Sequence, residues 1–323
     1  MSNNAEIEME LESAIEWLTR QGHHVIQTPS SHWYDIGPRI YQAFPYHKLI
    51  TPSYDEILKL FKQSKAIAIR YSTPLSASEG QLSYHVIYDR NQYELGDLRS
   101  KSRNHVNAGL KYASYEPISL ERLSKEGWAV REETLIRQGR TGAETRSFWE
   151  TLCLSAEGLP CFEAWGAIHD GTLVAALLAC TIGDTVSIYY QQSRTNHQKY
   201  GINNALTYVL THEVLQRKGI NCVFYGLHSL DAPSSVDEYK FRMSYKAKPV
   251  RQRVVFNPFI KPLIQPVTHT LLKFFTRIVP TNTQIPKAEG MVRFYLQGKK
   301  SIPEQEWPNV LKNQEEIILA SAG

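Results

Sequence analysis

Val186-Ser187-Ile188-Tyr189-Tyr190-Gln191, the junction Gln198-Lys199-Tyr200-Gly201-Ile202-Asn203 and the run Ile220-Asn221-Cys222-Val223-Phe224-Tyr225 lie within one stretch of forty residues, and its reading decides the fold. The first six residues are β-branched and aromatic, the composition of a buried strand. A polar loop runs from Gln192 to Gly201. From Ile202 to Lys218, the residues Ile202, Leu206, Val209, Leu210, Val214 and Leu215 recur at helical spacing, and Gly219 is placed to end the helix. Ile220–Tyr225 is a second strand. Where loop becomes helix, Gly201 leaves room for the backbone to approach a ligand. The first helical N–H groups have no partner within the helix, and the helix dipole adds positive charge there, so the junction suits a diphosphate. The plainer alternative is an ordinary loop running into an amphipathic helix.

Just upstream, Phe162–Ile168 and Leu173–Thr181 are apolar runs joined by His169-Asp170-Gly171-Thr172. Asp-Gly between apolar runs signals a hairpin. The order is therefore hairpin, strand, loop, helix, strand. Earlier in the chain, Ser53–Gln63 reads as a helix with Ser53 as cap and Glu56 at the capping-box position. Ala66–Tyr71 and Leu82–Asp89 read as strands. The spacing predicts a basic helix over Leu95–Lys111, a strand over Tyr112–Ile118, a short helix over Ser119–Glu126 ending at Gly127, and a helix over Glu144–Leu154. Beyond Asn257, a helix is expected from Pro266 to Val279, a strand over Met291–Leu296, and a helix with a fraying tail over Glu304–Gly323. No internal repeat is legible.

The chain has 323 residues, 42% hydrophobic and 21% charged, enough for two domains of ordinary globular composition. A net charge of +4 is too small to argue nucleic-acid binding from the total. Its distribution says more: Tyr239–Ala288 holds no Asp or Glu, but ten lysines and arginines. Such a one-sign segment points to anionic contact or to a solvated surface. Within it, the apolar residues of 260–279 carry Lys261, Lys273 and Arg277, a pattern open to two readings: a helix packed across the domain, or one lying on an anionic membrane. The four cysteines, Cys153, Cys161, Cys180 and Cys222, form no CxxC pair and read as reduced residues of a cytoplasmic protein. The start lacks signal-peptide character, and no segment reaches membrane-spanning length. Nothing has helix-turn-helix or zinc-ligand spacing, so DNA binding is not expected, and neither is a metal.

Three boxes carry a family resemblance. Gln198-x-x-Gly201-x-Asn203 resembles the Gln/Arg-x-x-Gly-x-Gly/Ala signature with which GNAT acyltransferases hold the pyrophosphate of acyl-CoA; Asn203 stands where the family has Gly or Ala. Leu98, Lys101, Arg103, Val106, Gly109 and Lys111 resemble the linking helix of Fem-type peptidoglycan aminoacyl transferases. Tyr239-Lys240-Phe241-Arg242-Met243-Ser244 resembles the Phe-Lys-x-x-Phe-Gly box of Fem-type and related GNAT proteins, with Ser244 in place of Gly. Together they span residues 95–257.

The resemblance implies an α/β fold of tandem GNAT-like domains, each a mixed central sheet flanked by helices. The expected division is 1–95, a donor-free first domain; 96–258, the acyltransferase domain; and 259–323, a basic and apolar extension. The implied activity is N-acyl transfer from acyl-CoA, acetyl-CoA above all, to an amine of a sugar or cell-envelope precursor. Tyr190 and Gln191 would offer backbone N–H groups to the oxyanion, and Gln198, Lys199, Tyr200, Gly201 and Asn203 would face the pyrophosphate. Lys240 would stabilise developing negative charge or contact phosphate. His228, just past a strand end, is the general-base candidate or a structural histidine. Tyr225 would orient substrate or fill the core. The expected location is the cytoplasm, with peripheral contact at the inner membrane face. Two rivals stand beside this reading: an aminoacyl-tRNA-dependent Fem-type transferase, and a catalytically degenerate binding protein of an envelope-polymer pathway.

Overall fold

The computed structural model describes residues 3–140, 142–228, 235–279 and 284–322. Its strands are β1 (Val25–Gln27), β2 (His32–Gly37), β3 (Ile40–Phe44), β4 (Ala68–Thr73), β5 (Gln81–Tyr88), β6 (Ser114–Ile118), β7 (Phe162–His169), β8 (Thr172–Ile182), β9 (Thr185–Ser193), β10 (Cys222–Leu227) and β11 (Lys246–Phe256). Its helices are α1 (Asn3–Arg20), α2 (Tyr54–Ser64), α3 (Ser100–Tyr112), α4 (Leu120–Arg137), α5 (Arg146–Leu154), α6 (Ile202–Leu215), α7 (Ser235–Arg242), α8 (Pro266–Ile278), α9 (Gln284–Gln297) and α10 (Glu315–Ala322). The chain divides into two units, each assembled from separate stretches. The first takes Met1–Gly22, Ile87–Gly226 and Asp237–Lys246; the second takes His23–Val86, Leu227–Val236 and Ala247–Gly323.

Each unit is a mixed sheet with helices on it. In the first, the strand order is β10-β9-β8-β7-β6, antiparallel from β6 to β9 and parallel between β9 and β10. In the second, the order is β1-β2-β3-β4-β11-β5, with β3 and β4 parallel. Both contain one motif: three antiparallel strands, a helix, and a strand parallel to the third. It is β7-β8-β9-α6-β10 in the first and β1-β2-β3-α2-β4 in the second. A parallel pair needs a crossover, and in both cases a helix makes it. This repeat of topology leaves no repeat in the sequence.

The hairpin expected at Asp170-Gly171 joins β7 and β8. Both turn residues have positive φ, +49° and +75°, as a two-residue turn matching the strand twist requires. Strand β8 is apolar on both faces because helices cover both: α4 packs on it and so does α6. Leu173, Val174, Leu177 and Leu178 are all buried. In the second unit, Trp33, Ile57, Leu60, Ile69 and Tyr71 form one core cluster.

Four local expectations differ from what is found. Helix α4 does not stop at Gly127 but runs on to Arg137. Gly127 is there because Trp149 of α5 lies against it: a Cβ on Gly127 would stand 3.3 Å from the indole ring, whose N–H donates to the Leu123 carbonyl at 3.1 Å. Met291–Leu296 is not a strand but part of α9. Met291, Val292, Phe294 and Tyr295 are buried at helical spacing, which a six-residue window is too short to reveal. The capping box of α2 is half formed. Ser53 accepts from the Glu56 N–H at 3.2 Å, but the Glu56 carboxylate turns away to the N–H and hydroxyl of Ser30. Finally, the carboxy-terminal helix begins only at Glu315, after two short 3-10 turns. The four cysteines are free, three of them buried.

Candidate active site

Two strands of the first unit begin paired and then part. β10 pairs with β9 through Cys222–Thr185, Val223–Val186 and Phe224–Ser187, after which β10 continues to Leu227 and β9 to Ser193. On the other edge of β9 the register with β8 shifts between Leu178 and Ala179, so that Tyr189 is an extra residue. A bulge bends its strand and increases the local twist, which accounts for the parting. The edge of β9 beyond Ser187 therefore opens toward polar side chains.

Gln191 organises them. Its amide donates to Thr207 Oγ1 of α6 at 2.9 Å and to the Asn203 carbonyl at 3.1 Å. Its Oε1 accepts from the Tyr225 hydroxyl of β10 and from Thr207 at 3.1 Å. The Tyr239 hydroxyl of α7 donates to the Asn203 carbonyl at 2.9 Å and lies 2.8 Å from Thr207 Oγ1. Burial raises both phenols: Tyr239 is pushed up to about 12, and Tyr225 well above its ordinary value. Both remain protonated donors through the physiological range. Lys240 is ion-paired with Asp237 at 2.8 Å, both side chains being largely buried. Its ammonium lies 5.2 Å from the centre of the Tyr225 ring and close to Gly226. Gln191, Tyr225, Tyr239 and Lys240 thus form one cluster at the mouth of the parted strands. Tyr190 points elsewhere, toward Trp149 and under the Arg131 guanidinium, 5.0 Å from its ring centre.

The loop-to-helix junction is different in character. Gly201 has φ +76°, and the backbone of His105 in α3 presses on it so closely that a Cβ would collide with the His105 carbonyl oxygen. The glycine serves helix packing. The Gly201 N–H donates to the Gln198 carbonyl at 3.0 Å. The Thr195 N–H donates at 2.8 Å to Glu133 of α4, which also accepts from Arg194. Burial works against the Glu133 charge, but the bonds from Arg194 and Thr195 outweigh it and hold the carboxyl below its ordinary value. Ser193 Oγ accepts from Asn203 at 2.9 Å, and Gln198, with its amide oxygen turned inward, accepts from Ser193 and from Arg137 at about 3.0–3.1 Å. A diphosphate here would meet a carbonyl oxygen and a carboxylate. Two of the N–H groups expected to face a pyrophosphate are thus already taken up inside the protein.

Lys199 and Tyr200 stand outside this packed corner. Tyr200 stacks on Tyr112 at 4.0 Å and 10°, and Tyr112 stacks on His169 at 3.9 Å and 17°. The Tyr112 hydroxyl meets His197 Nδ1 at 2.9 Å, and Lys199 Nζ lies 5.0 Å from the Tyr200 ring centre. Burial, with the nearby His169 and Arg194, lowers the pKa of His197.

His228 belongs to the second unit. It stacks on Tyr84 at 4.4 Å, and its Nδ1 lies 3.2 Å from Ser83 Oγ. Its carbonyl accepts from Arg70, whose guanidinium also bonds Gln252. Arg70, His228, Gln284 and Lys287 line a cavity of about 520 Å³ together with Ile40 and Met291. Glu133, Arg137 and Arg70 had no motif to mark them in the sequence. Gly109 had one: a glycine within a helical stretch, which signals close approach of another backbone.

No family model matches the chain, and no curated protein matches it. Solved structures do. FemX matches with a TM-score of 0.56 over 82% of this chain and 99% of its own, at 10% identity. A conserved protein of unknown function from Bacteroides thetaiotaomicron matches with 0.54 over 77% and 91%, at 11% identity. The C-terminal DUF2156 domain of a protein described as a lysylphosphatidylglycerol synthetase, from Agrobacterium fabrum, matches with 0.51 over 81% and 94%, at 13% identity. At such identities the likeness is one of fold: this chain shares the fold of FemX and of the DUF2156 domain.

Proposed function

We propose that the chain is a transferase that moves an aminoacyl or acyl group from an ester-linked carrier onto an amine of a cell-envelope precursor. The observation that supports this best is the parting of β9 from β10 with Tyr225 and the Lys240–Asp237 pair at its mouth. Attack of an amine on an acyl carbonyl develops an oxyanion, and the Lys240 ammonium offers a fixed positive charge for it. The leaving group then needs a proton. An alkoxide needs that proton to leave, whereas a thiolate leaves without one, and the Tyr225 phenol, kept protonated by burial, is a hydrogen-bond donor at the mouth of the strands. A proton donor placed there favours an ester-linked carrier over a thioester.

The corner beside Gly201 argues in the same direction, since its Gly201 and Thr195 N–H groups are already bonded to the Gln198 carbonyl and to Glu133, whose carboxylate would repel a CoA diphosphate. The Tyr200–Tyr112–His169 stack, with Tyr200 38% exposed and Lys199 beside it, is the kind of surface that takes a nucleobase. Aminoacyl-tRNA is an ester donor that carries such bases. One structural neighbour is named for making an aminoacylated lipid, which favours the aminoacyl group.

The test is transfer of label from a mixture of charged tRNAs, and separately from acetyl-CoA, to amine-bearing envelope precursors. Transfer from tRNA that falls at least tenfold in Tyr225→Phe and Lys240→Met is the expected result. Saturable binding and turnover of acetyl-CoA would overturn the donor assignment. Transfer from neither, by a folded protein, would leave a binding protein in place of an enzyme.

A further inference from the structure

We infer that α8 and the segment leading into it dock the second unit on an anionic lipid bilayer. Helix α8 has two apolar sides. Leu272 is partly buried against the cluster that contains Met291 and Phe294 of α9, and His269 on the neighbouring position contacts Glu289 at 2.7 Å. That side fixes the helix to its own unit. At 100° per residue, Phe274, Val267, Ile278, Leu271 and Phe275 fall on a different stripe about 100° wide, the width of a face that normally packs on something. All five are exposed, Val267 at 70% and Phe274 at 57%. Phe259 and Leu263, just before the helix, are exposed as well, Phe259 at 93%.

Charge indicates what covers the stripe. On the helix wheel Arg277 flanks the stripe on its Phe274 side, Lys273 lies one step further round on the same flank, and Lys261 is on the lead-in segment; all three are exposed. No acidic residue occurs between Tyr239 and Ala288. A second copy of this chain would bring like charges to the same face, which is unfavourable. A bilayer of anionic headgroups over an apolar interior accepts both parts at once: the aromatic stripe enters the acyl boundary while the cations stay among the phosphates. Among the described residues no helix is long and apolar enough to cross a membrane, so the contact is peripheral. This inference does not depend on the transfer reaction.

The experiment is flotation of the full chain with vesicles of phosphatidylcholine alone and of phosphatidylcholine mixed with an equal part of phosphatidylglycerol. Binding to the mixed vesicles should be roughly a hundredfold tighter, about fivefold for each of three cations, and should weaken with salt. The pair Leu271→Ser and Phe274→Ser should lose it, and so should Lys273→Glu with Arg277→Glu, with thermal midpoints unchanged because these side chains are exposed. Equal binding to both vesicle types, or none, would overturn the inference. So would a dimer in solution that Phe274→Ser dissociates. Binding to soluble polyanions that survives loss of Leu271 and Phe274 would assign the cations to another partner and overturn it as well.

Discussion

Gly109 of α3 and Gly201 at the head of α6 meet across a helix crossing: a methyl group on Gly109 would stand 2.7 Å from the Gly201 carbonyl oxygen and 2.7 Å from the Ala205 Cβ. The junction that looks made for phosphate is held by this contact. Gly201→Ala should cost roughly 2–5 kcal/mol, combining left-handed strain of about 1–2 with overpacking of about 1–3. Gly109→Ala gains about 1 kcal/mol of helix propensity and loses about 1–3 to overpacking, a net of roughly 0–2. Gly139, at φ +68° with no atom within 4 Å of an added Cβ, is the control that carries strain alone. The denaturant midpoint of Gly201→Ala should be the lowest of the three, below those of Gly109→Ala and Gly139→Ala.

The Lys240–Asp237 pair is largely buried, so breaking it is costly and removing it whole is not. Lys240→Met alone should destabilise by about 3 kcal/mol. Lys240→Met with Asp237→Leu should recover a large part of that loss, which a double-mutant cycle reads directly. Transfer activity should be lost in both. Activity retained in the folded double variant would remove the pair from the reaction.

Ser244 adopts φ +63° where the family box has glycine, and its hydroxyl donates to the Asp97 carbonyl at 2.7 Å. Strain and hydrogen bond oppose each other. Ser244→Ala keeps the strain and loses the bond, so it should cost about 1 kcal/mol. Ser244→Gly relieves strain of about 1–2 kcal/mol, loses the same bond and adds chain entropy to the unfolded state, and should come out close to neutral. Thermal midpoints decide between the two.

His85 is buried beside Ser72, its Nε2 2.8 Å from the hydroxyl. Burial first, and then the neighbouring cations, lower its pKa to about 3. The unfolded chain takes up the proton near pH 6.5. Stability is therefore complete above that pH and is lost as pH falls from there toward about 3, at about 1.4 kcal/mol per unit. Between pH 7 and pH 5 the loss should reach about 2 kcal/mol. His85→Gln should flatten this part of the profile; an unchanged slope would assign it to other groups.

The stretch from Val186 to Tyr225 was legible because each element carries its own local signal: β-branched strands, a helical repeat, an Asp-Gly turn. The topology follows from those signals. What the sequence concealed depends on which element lies against which. Gly127 looks like a helix end, and only the indole of Trp149 explains it as a packing site. Gly201 looks like a ligand site, and only the crossing of α3 shows what fills it. Glu133 is one glutamate among many until α4 brings it to the Thr195 N–H. Glycine marks close approach in the first two places, but not the identity of what approaches.

The interleaving of the two units bears on how the protein is made. Trp17 of α1 donates to the Leu152 carbonyl at 2.9 Å, across 135 residues of chain. At roughly 5–20 residues per second, a ribosome needs roughly 7–27 seconds to deliver that partner. During that interval the side of α1 bearing Ala14, Trp17 and Leu18 is apolar and uncovered, a client for chaperones. Biogenesis of the first unit is thus obliged to wait at its amino terminus while the His23–Val86 part of the second is translated.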